Sequence, residues 1–130
     1  MTFKNNIEIY EKIVELHERF VREWKAESSD PDFITQCMFQ AIPTIFSKHS
    51  AEKGGNVLGL DKEKENVVML LFDIAVKTPE LEILARKKLR KFGDEMKSQA
   101  ARLRGAVDWT YLNYADSHQV CVKGKVCDPY

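Results

Sequence analysis

The chain has 130 residues, 44% of them hydrophobic and 31% charged, a balance that suits one globular domain with its own core and excludes a disordered chain. Its 20 basic and 20 acidic side chains cancel, which removes the basic surplus that a nucleic-acid binder shows. No apolar run reaches the ~18–20 residues of a membrane-spanning helix.

Residues from about 4 to 27 read as a helix, because Ile9, Ile13, Leu16, Phe20 and Trp24 recur at three- and four-residue steps. Tyr10, His17 and Val21 widen that stripe, and Glu8, Glu11, Lys12, Glu15 and Arg22 make the wet side. Ser28-Ser29-Asp30-Pro31-Asp32 is turn chemistry. Phe33 to Phe46 then reads as extended, with Pro43 placing it at an edge or an irregular end. Alternation sets Phe33, Thr35, Cys37, Phe39 and Ala41 on a helix-packing face, and Ile34, Gln36, Met38, Gln40 and Ile42 on the other. The second face mixes amides with apolar groups, as a ligand-facing sheet does.

Ser47 to Gly55 reads as a polar loop. Asn56 to Leu60 and Glu65 to Lys77 read as a hairpin around the charged turn 61–64, the second strand apolar on both faces and therefore central. Thr78-Pro79-Glu80 opens a second long helix: Thr as N-cap, Pro at the first position, Glu at the positive end of the dipole. Its expected stripe is Leu81, Leu84, Leu89, Phe92, Met96, Ala100 and Leu103, with Gly105 as its stop. The basic run Arg86-Lys87-Lys88-Leu89-Arg90-Lys91, flanked by Glu80, Glu82, Asp94 and Glu95, reads as the solvated side of this helix. An aromatic segment from Val107 to Asp116 follows, then a polar tail over 118–130.

The expected fold is α+β: an antiparallel sheet with two long helices on one face, in a single domain over 1–117. The other face is left for a ligand or a second subunit, which predicts a homodimer. The three cysteines make no disulfide framework and match no common zinc spacing, so no metal site is expected. Free thiols and a charged N-terminal helix, in place of a secretory signal, imply the cytoplasm.

Asp73 is the most informative ionisable residue, set in an apolar strand on the same face as Val67, Met69, Leu71 and Ala75. Held there, a carboxyl would acquire a raised pKa and serve as a general acid or base; an Asp paired with a neighbour, or one lying at an exposed strand end, is the competing account. His49 and His118 are loop residues able to exchange protons near neutral pH, against the plainer account of solvated side chains.

Gly54-Gly55-Asn56-Val57-Leu58-Gly59-Leu60-Asp61 and Tyr111-Leu112-Asn113-Tyr114-Ala115-Asp116 together resemble the C-terminal region of fungal berberine-bridge-enzyme-like, FAD-linked oxidoreductases. Gln40-Ala41-Ile42-Pro43, Phe46-Ser47-Lys48-His49-Ser50 and Val76-Lys77-Thr78-Pro79-Glu80 fit the same run, so the likeness covers roughly residues 5 to 117. It implies a substrate-binding region whose sheet carries helices on one side and substrate and flavin on the other. It also implies that the flavin is held mainly by a separate N-terminal domain, whose ring-tethering His and Cys have no counterpart here. The expectation is therefore no cofactor, with FAD entering only if a separate flavin-binding chain supplies it. By this resemblance Tyr111, Asn113 and Tyr114 face the substrate, where hydroxyl and amide groups orient a carbonyl and stabilise developing negative charge. Asp73, Tyr111 and His49 are the catalytic candidates, and Gln36, Met38, Gln40, Met69, Trp109, Asn113 and Tyr114 the substrate-binding ones.

The function expected from all this is a cofactor-independent enzyme of fungal natural-product biosynthesis acting on a mostly apolar small molecule. Its reaction would be an isomerisation, dehydration or cyclisation, pericyclic ones included. The alternatives are a fragment or split subunit of an FAD-dependent oxidoreductase and a non-catalytic ligand-binding module.

Overall fold

The computed structural model describes residues 1–55, 59–60, 63–116, 120–122 and 125–126. In chain order its elements are β1 (Thr2–Lys4), α1 (Ile7–Glu27), β2 (Ile34–Ile42), α2 (Thr44–Glu52), β3 (Val67–Ala75), α3 (Pro79–Arg102) and β4 (Ala106–Val107). A 3-10 turn at Leu112–Tyr114 and two short strands, β5 (Val120–Val122) and β6 (Lys125–Val126), complete it. The fold is α+β, with a four-stranded antiparallel sheet in the order β2-β3-β1-β4. β5 and β6 pair antiparallel, so the tail expected to be merely polar contains a small strand pair. Among the described residues no helix is long and apolar enough to cross a membrane.

The residues gather into two compact units, Met1–Asn5 with Phe39–Leu70 and Ala106–Tyr130, and Asn6–Met38 with Leu71–Gly105. The second is the helical one. α1 buries Ile9, Ile13, Leu16, Phe20 and Trp24, the stripe that the three- and four-residue spacing specifies. Phe20 is the hub of its core: its ring meets Phe72 at 4.9 Å and Phe92 at 5.0 Å edge-on, and stacks on Trp24 at 6.2 Å. α3 starts as expected, with the Thr78 hydroxyl accepting from the Leu81 amide. Its buried stripe is Ala85, Lys88, Phe92, Met96 and Ala100, so the leucines of its first half sit at the margin. Lys88 lies inside this line because its Nζ reaches Glu27 at 2.8 Å and Glu23 at 3.8 Å while its stem packs. Arg19 adds a second tie between the helices, pairing with Glu95 and holding its guanidinium 5.0 Å above the Phe92 ring.

The first unit departs most from the sequence reading. Thr2–Lys4 form β1 in place of a helix start, pairing Thr2 with Met69 and Phe3 with Val68 on one side, and Thr2 with Val107 and Phe3 with Ala106 on the other. Asn6 then caps α1 by accepting from the Glu8 amide at 3.0 Å. Residues 44–52, read as strand end and loop, form α2. Pro43 lends that helix no side-chain cap, and Asn66 serves instead, its Oδ1 accepting from the Thr44 amide at 3.0 Å. The Gly54-Gly55 pair is its stop: the Gly54 amide donates to Ala51 and the Gly55 amide to Ser50, with Gly54 at φ 98°. The first strand of the expected hairpin lies largely outside the described residues. β3 is flanked by β2 and β1.

Candidate functional site

The first unit holds an open cavity of about 260 Å³ lined by Gln40, Ile42, Phe46, Ser47, Leu60, Met69, Trp109, Tyr111 and Tyr114. Gln40 and Ile42 reach it from the end of β2 on one face of the strand, as period-two alternation requires. Phe46 and Ser47 come from the first turn of α2, and Ser47 Oγ donates to the Thr44 carbonyl at 3.0 Å. Met69 is fixed in β3 by its pairing with Thr2 and, like Leu60, is buried. The aromatic wall comes from the segment after β4. Trp109 stacks on Tyr111 at 6.0 Å and 25°, and Tyr114 stands edge-on to Tyr111 at 5.1 Å. Offset and edge-on arrays of this kind hold one another in place and present flat, polarisable surface to a ligand.

The polar groups of the site are few and placed. Asn113 Nδ2 donates to the Tyr111 hydroxyl oxygen at 3.0 Å. With that oxygen accepting, the phenolic proton of Tyr111 is left to donate to a ligand acceptor. Gln40 brings an amide that both donates and accepts, and Ser47 keeps lone pairs once its proton is committed to Thr44. The lining is otherwise apolar, which makes the few polar contacts the ones that orient a guest.

Of the expected residues, this cavity brings together Gln40, Met69, Trp109, Tyr111 and Tyr114, with Asn113 behind Tyr111. Gln36 and Met38 lie in the part of β2 that belongs to the helical unit, outside the lining. His49 is exposed on α2, its Nδ1 3.5 Å from Glu52. Asp73 is half-buried in the helical unit, and its backbone carbonyl accepts from the Thr35 hydroxyl at 2.7 Å. Neither residue is among those lining the cavity. His118 falls outside the described residues. The sequence reading set Ile42 on the ligand-facing side of the strand without naming it as a candidate, and it missed Phe46, Ser47 and Leu60. The signal for Phe46 and Ser47 was present: a Pro before and a Gly pair after a short run bracket a helix.

In the helical unit Thr35 spends its one hydroxyl proton on the Asp73 carbonyl, so His17 Nε2, 3.2 Å away, must carry hydrogen and donate to it. The ring also stands edge-on to Phe72 at 5.3 Å, and burial holds its pKa below the ordinary histidine value. Burial likewise pushes the Cys37 thiol up to about 11, which makes it a packing group and not a nucleophile. Among the described residues no cluster of three or more His, Cys, Asp or Glu is arranged to hold a metal ion.

No family model matches the chain, and no solved structure matches it. Two curated proteins do. The FAD-dependent monooxygenase drtC of Aspergillus calidoustus is 29% identical over 128 residues, which are 95% of this chain and 24% of that protein. The FAD-dependent monooxygenase sdcF of Emericella nidulans is 30% identical over 125 residues, 95% of this chain and 26% of that protein. Over nearly all its length, then, this chain is similar to about a quarter of two fungal proteins named as FAD-dependent monooxygenases.

Proposed function

We propose that this chain is the substrate-binding part of a fungal natural-product enzyme, taking a flat, mostly apolar organic molecule into the cavity against Trp109, Tyr111 and Tyr114. The observation that carries the reading is the lining itself: a mutually stacked aromatic wall and buried Leu60 and Met69, with Tyr111 set as a hydrogen-bond donor by Asn113. The berberine-bridge-like resemblance and the names of the two relatives support an oxidoreductase setting for it.

The lining does not fit a whole FAD. A diphosphate needs cations or a run of free backbone N–H groups. No lining residue is Lys or Arg, and the leading amide of α2 is already bonded by Asn66. At about 260 Å³ the space lies just under the ~300–1,000 Å³ usual for ligand pockets, enough for a compact ring system. If the reaction uses flavin, another chain or another part of a longer protein binds it. The work of this chain's residues is then to bind, to orient and to keep water from the guest. Tyr111 donates to a carbonyl or enolate oxygen and stabilises charge developing there.

That same Tyr111–Asn113 pair favours a second reading, a cofactor-independent isomerase, dehydratase or cyclase in which positioning and one proton donor suffice. A titration of the purified, flavin-free protein with a planar phenol such as 1-naphthol, followed by tryptophan fluorescence, tests the binding claim. Saturable quenching is expected and is lost in Trp109→Phe, because the remaining Trp24 is buried in the helical unit and does not line the cavity. Tyr111→Phe should weaken binding about three- to tenfold, the worth of one hydrogen bond. Quenching that survives Trp109→Phe would place the ligand elsewhere and sink the reading. Turnover of a candidate intermediate by the colourless protein would favour the second reading over the flavin-partnered one.

A further inference from the structure

Among the described residues β2 stands at one end of the strand order and is an edge of the sheet. An edge offers unpaired N–H and C=O groups to any strand that comes alongside, and proteins usually block it with charges, proline or short length. β2 has none of these. Ile34-Thr35-Gln36-Cys37-Met38-Phe39-Gln40-Ala41-Ile42 runs nine residues without a charge, a proline or a glycine. On its outer face Ile34 is 64% and Met38 46% exposed.

That outer face reads Ile34, Gln36, Met38, Gln40, Ile42, the same in both directions about Met38. When two such strands lie antiparallel with Met38 opposite its own copy, Ile34 falls opposite Ile42 and Gln36 opposite Gln40. Apolar groups meet at both ends, amides meet on either side of the centre, and thioether meets thioether on the axis. On the inner face Thr35 meets Ala41 and Cys37 meets Phe39, again without charge. Just beyond the strand, Asp32 falls opposite Thr44, and its carboxylate is already paired with Lys77. A two-fold interface needs a surface that complements itself, and this strand is one; a partner of unrelated sequence has no reason to match it.

We propose that β2 pairs antiparallel with β2 of a second copy of this chain, with Met38 on the two-fold axis. The pairing also brings the partner copy to the candidate site. It sets the partner's Gln36 and Ile34 directly beside Gln40 and Ile42, two of the residues that line the cavity. The proposal rests on the strand and does not require the ligand reading to hold.

Native mass spectrometry and sedimentation across a concentration series test it. A dimer is expected, converted to monomer by Met38→Lys, which places two like charges on the axis, with an unchanged circular dichroism spectrum. Ile83→Lys, at a position 72% exposed on α3, should leave the dimer intact. Register is read independently by mild oxidation of Met38→Cys in a background with Cys37, Cys121 and Cys127 replaced by Ser. That variant should form a covalent dimer at least tenfold faster than Gln36→Cys in the same background, because only position 38 faces its own copy. A monomer at every concentration would overturn the proposal. So would a dimer that survives Met38→Lys and cross-links no faster through position 38 than through position 36.

Discussion

At the scale of single residues, His17 and Cys37 show how burial sets chemistry in the helical unit. His17 sits on the margin of the α1 stripe, where its spacing alone offers no role. Thr35 supplies one, by fixing which ring nitrogen carries hydrogen. Protonation leaves that hydrogen bond in place, because the imidazolium donates through the same atom, so its cost is that of charging a half-buried ring. The folded pKa lies below the ordinary value near 6.5, so as pH falls the unfolded chain takes up the proton first. Stability is therefore whole above about pH 6.5 and declines as pH falls through that value toward the folded pKa. Urea unfolding at pH 7.5 and pH 5.5 should show a larger loss for the natural protein than for His17→Gln, which keeps a donor toward Thr35 and does not titrate. At Cys37 the raised pKa leaves almost no thiolate at neutral pH. Alkylation of this residue by iodoacetamide at pH 8 should be far slower in the folded protein than in urea, as peptide mass mapping would read.

At the scale of elements, α2 and α3 differ in how they stop. α2 ends on Gly54, which takes a positive φ freely, whereas α3 ends on Arg104 at φ 54°. The hydrogen bonds are the same in kind: the Arg104 amide donates to Ala101 and the Gly105 amide to Ala100. The glycine expected to terminate α3 thus lies one residue past the left-handed position, and an arginine carries the strain. Arg104→Gly should stabilise the protein by about 1 kcal/mol, seen as a raised midpoint in thermal unfolding. At the other end of the same helix, Thr78→Ala should cost about 1 kcal/mol through loss of the cap to Leu81. α2 was legible through its ends alone, because it buries no residue fully and so carries no apolar stripe to read. Its boundaries, Pro43 and Gly54-Gly55, were the only local evidence, and the same residues suit a loop. β1 was illegible for a different reason: three residues are too few to show alternation, and only the neighbours β3 and β4 make them a strand.

At the scale of the whole molecule, the helical core is the part that a single truncation should damage most. Phe20 meets Trp24, Phe72 and Phe92, and Phe20→Ala should cost about 3–5 kcal/mol in urea unfolding, a large share of the stability of a domain this size. The α+β class, the stripe of α1, the start of α3 and the two faces of β2 were all legible in the sequence, because each follows from a local period or a cap. The aromatic segment that walls the cavity was legible through its resemblance to FAD-linked oxidoreductases. Its pairing with Gln40 and Met69 followed only from alternation on strands whose neighbours were not yet known. What the tertiary structure decided is which of these residues share a space. Asp73, the strongest candidate by apolar setting alone, lies outside the cavity lining, while Ile42, Phe46, Ser47 and Leu60 belong to it. The physical reason is that periodicity specifies which face of an element a side chain occupies, whereas a site forms where faces from distant elements meet, and that meeting is set by strand order and by the path of the loops.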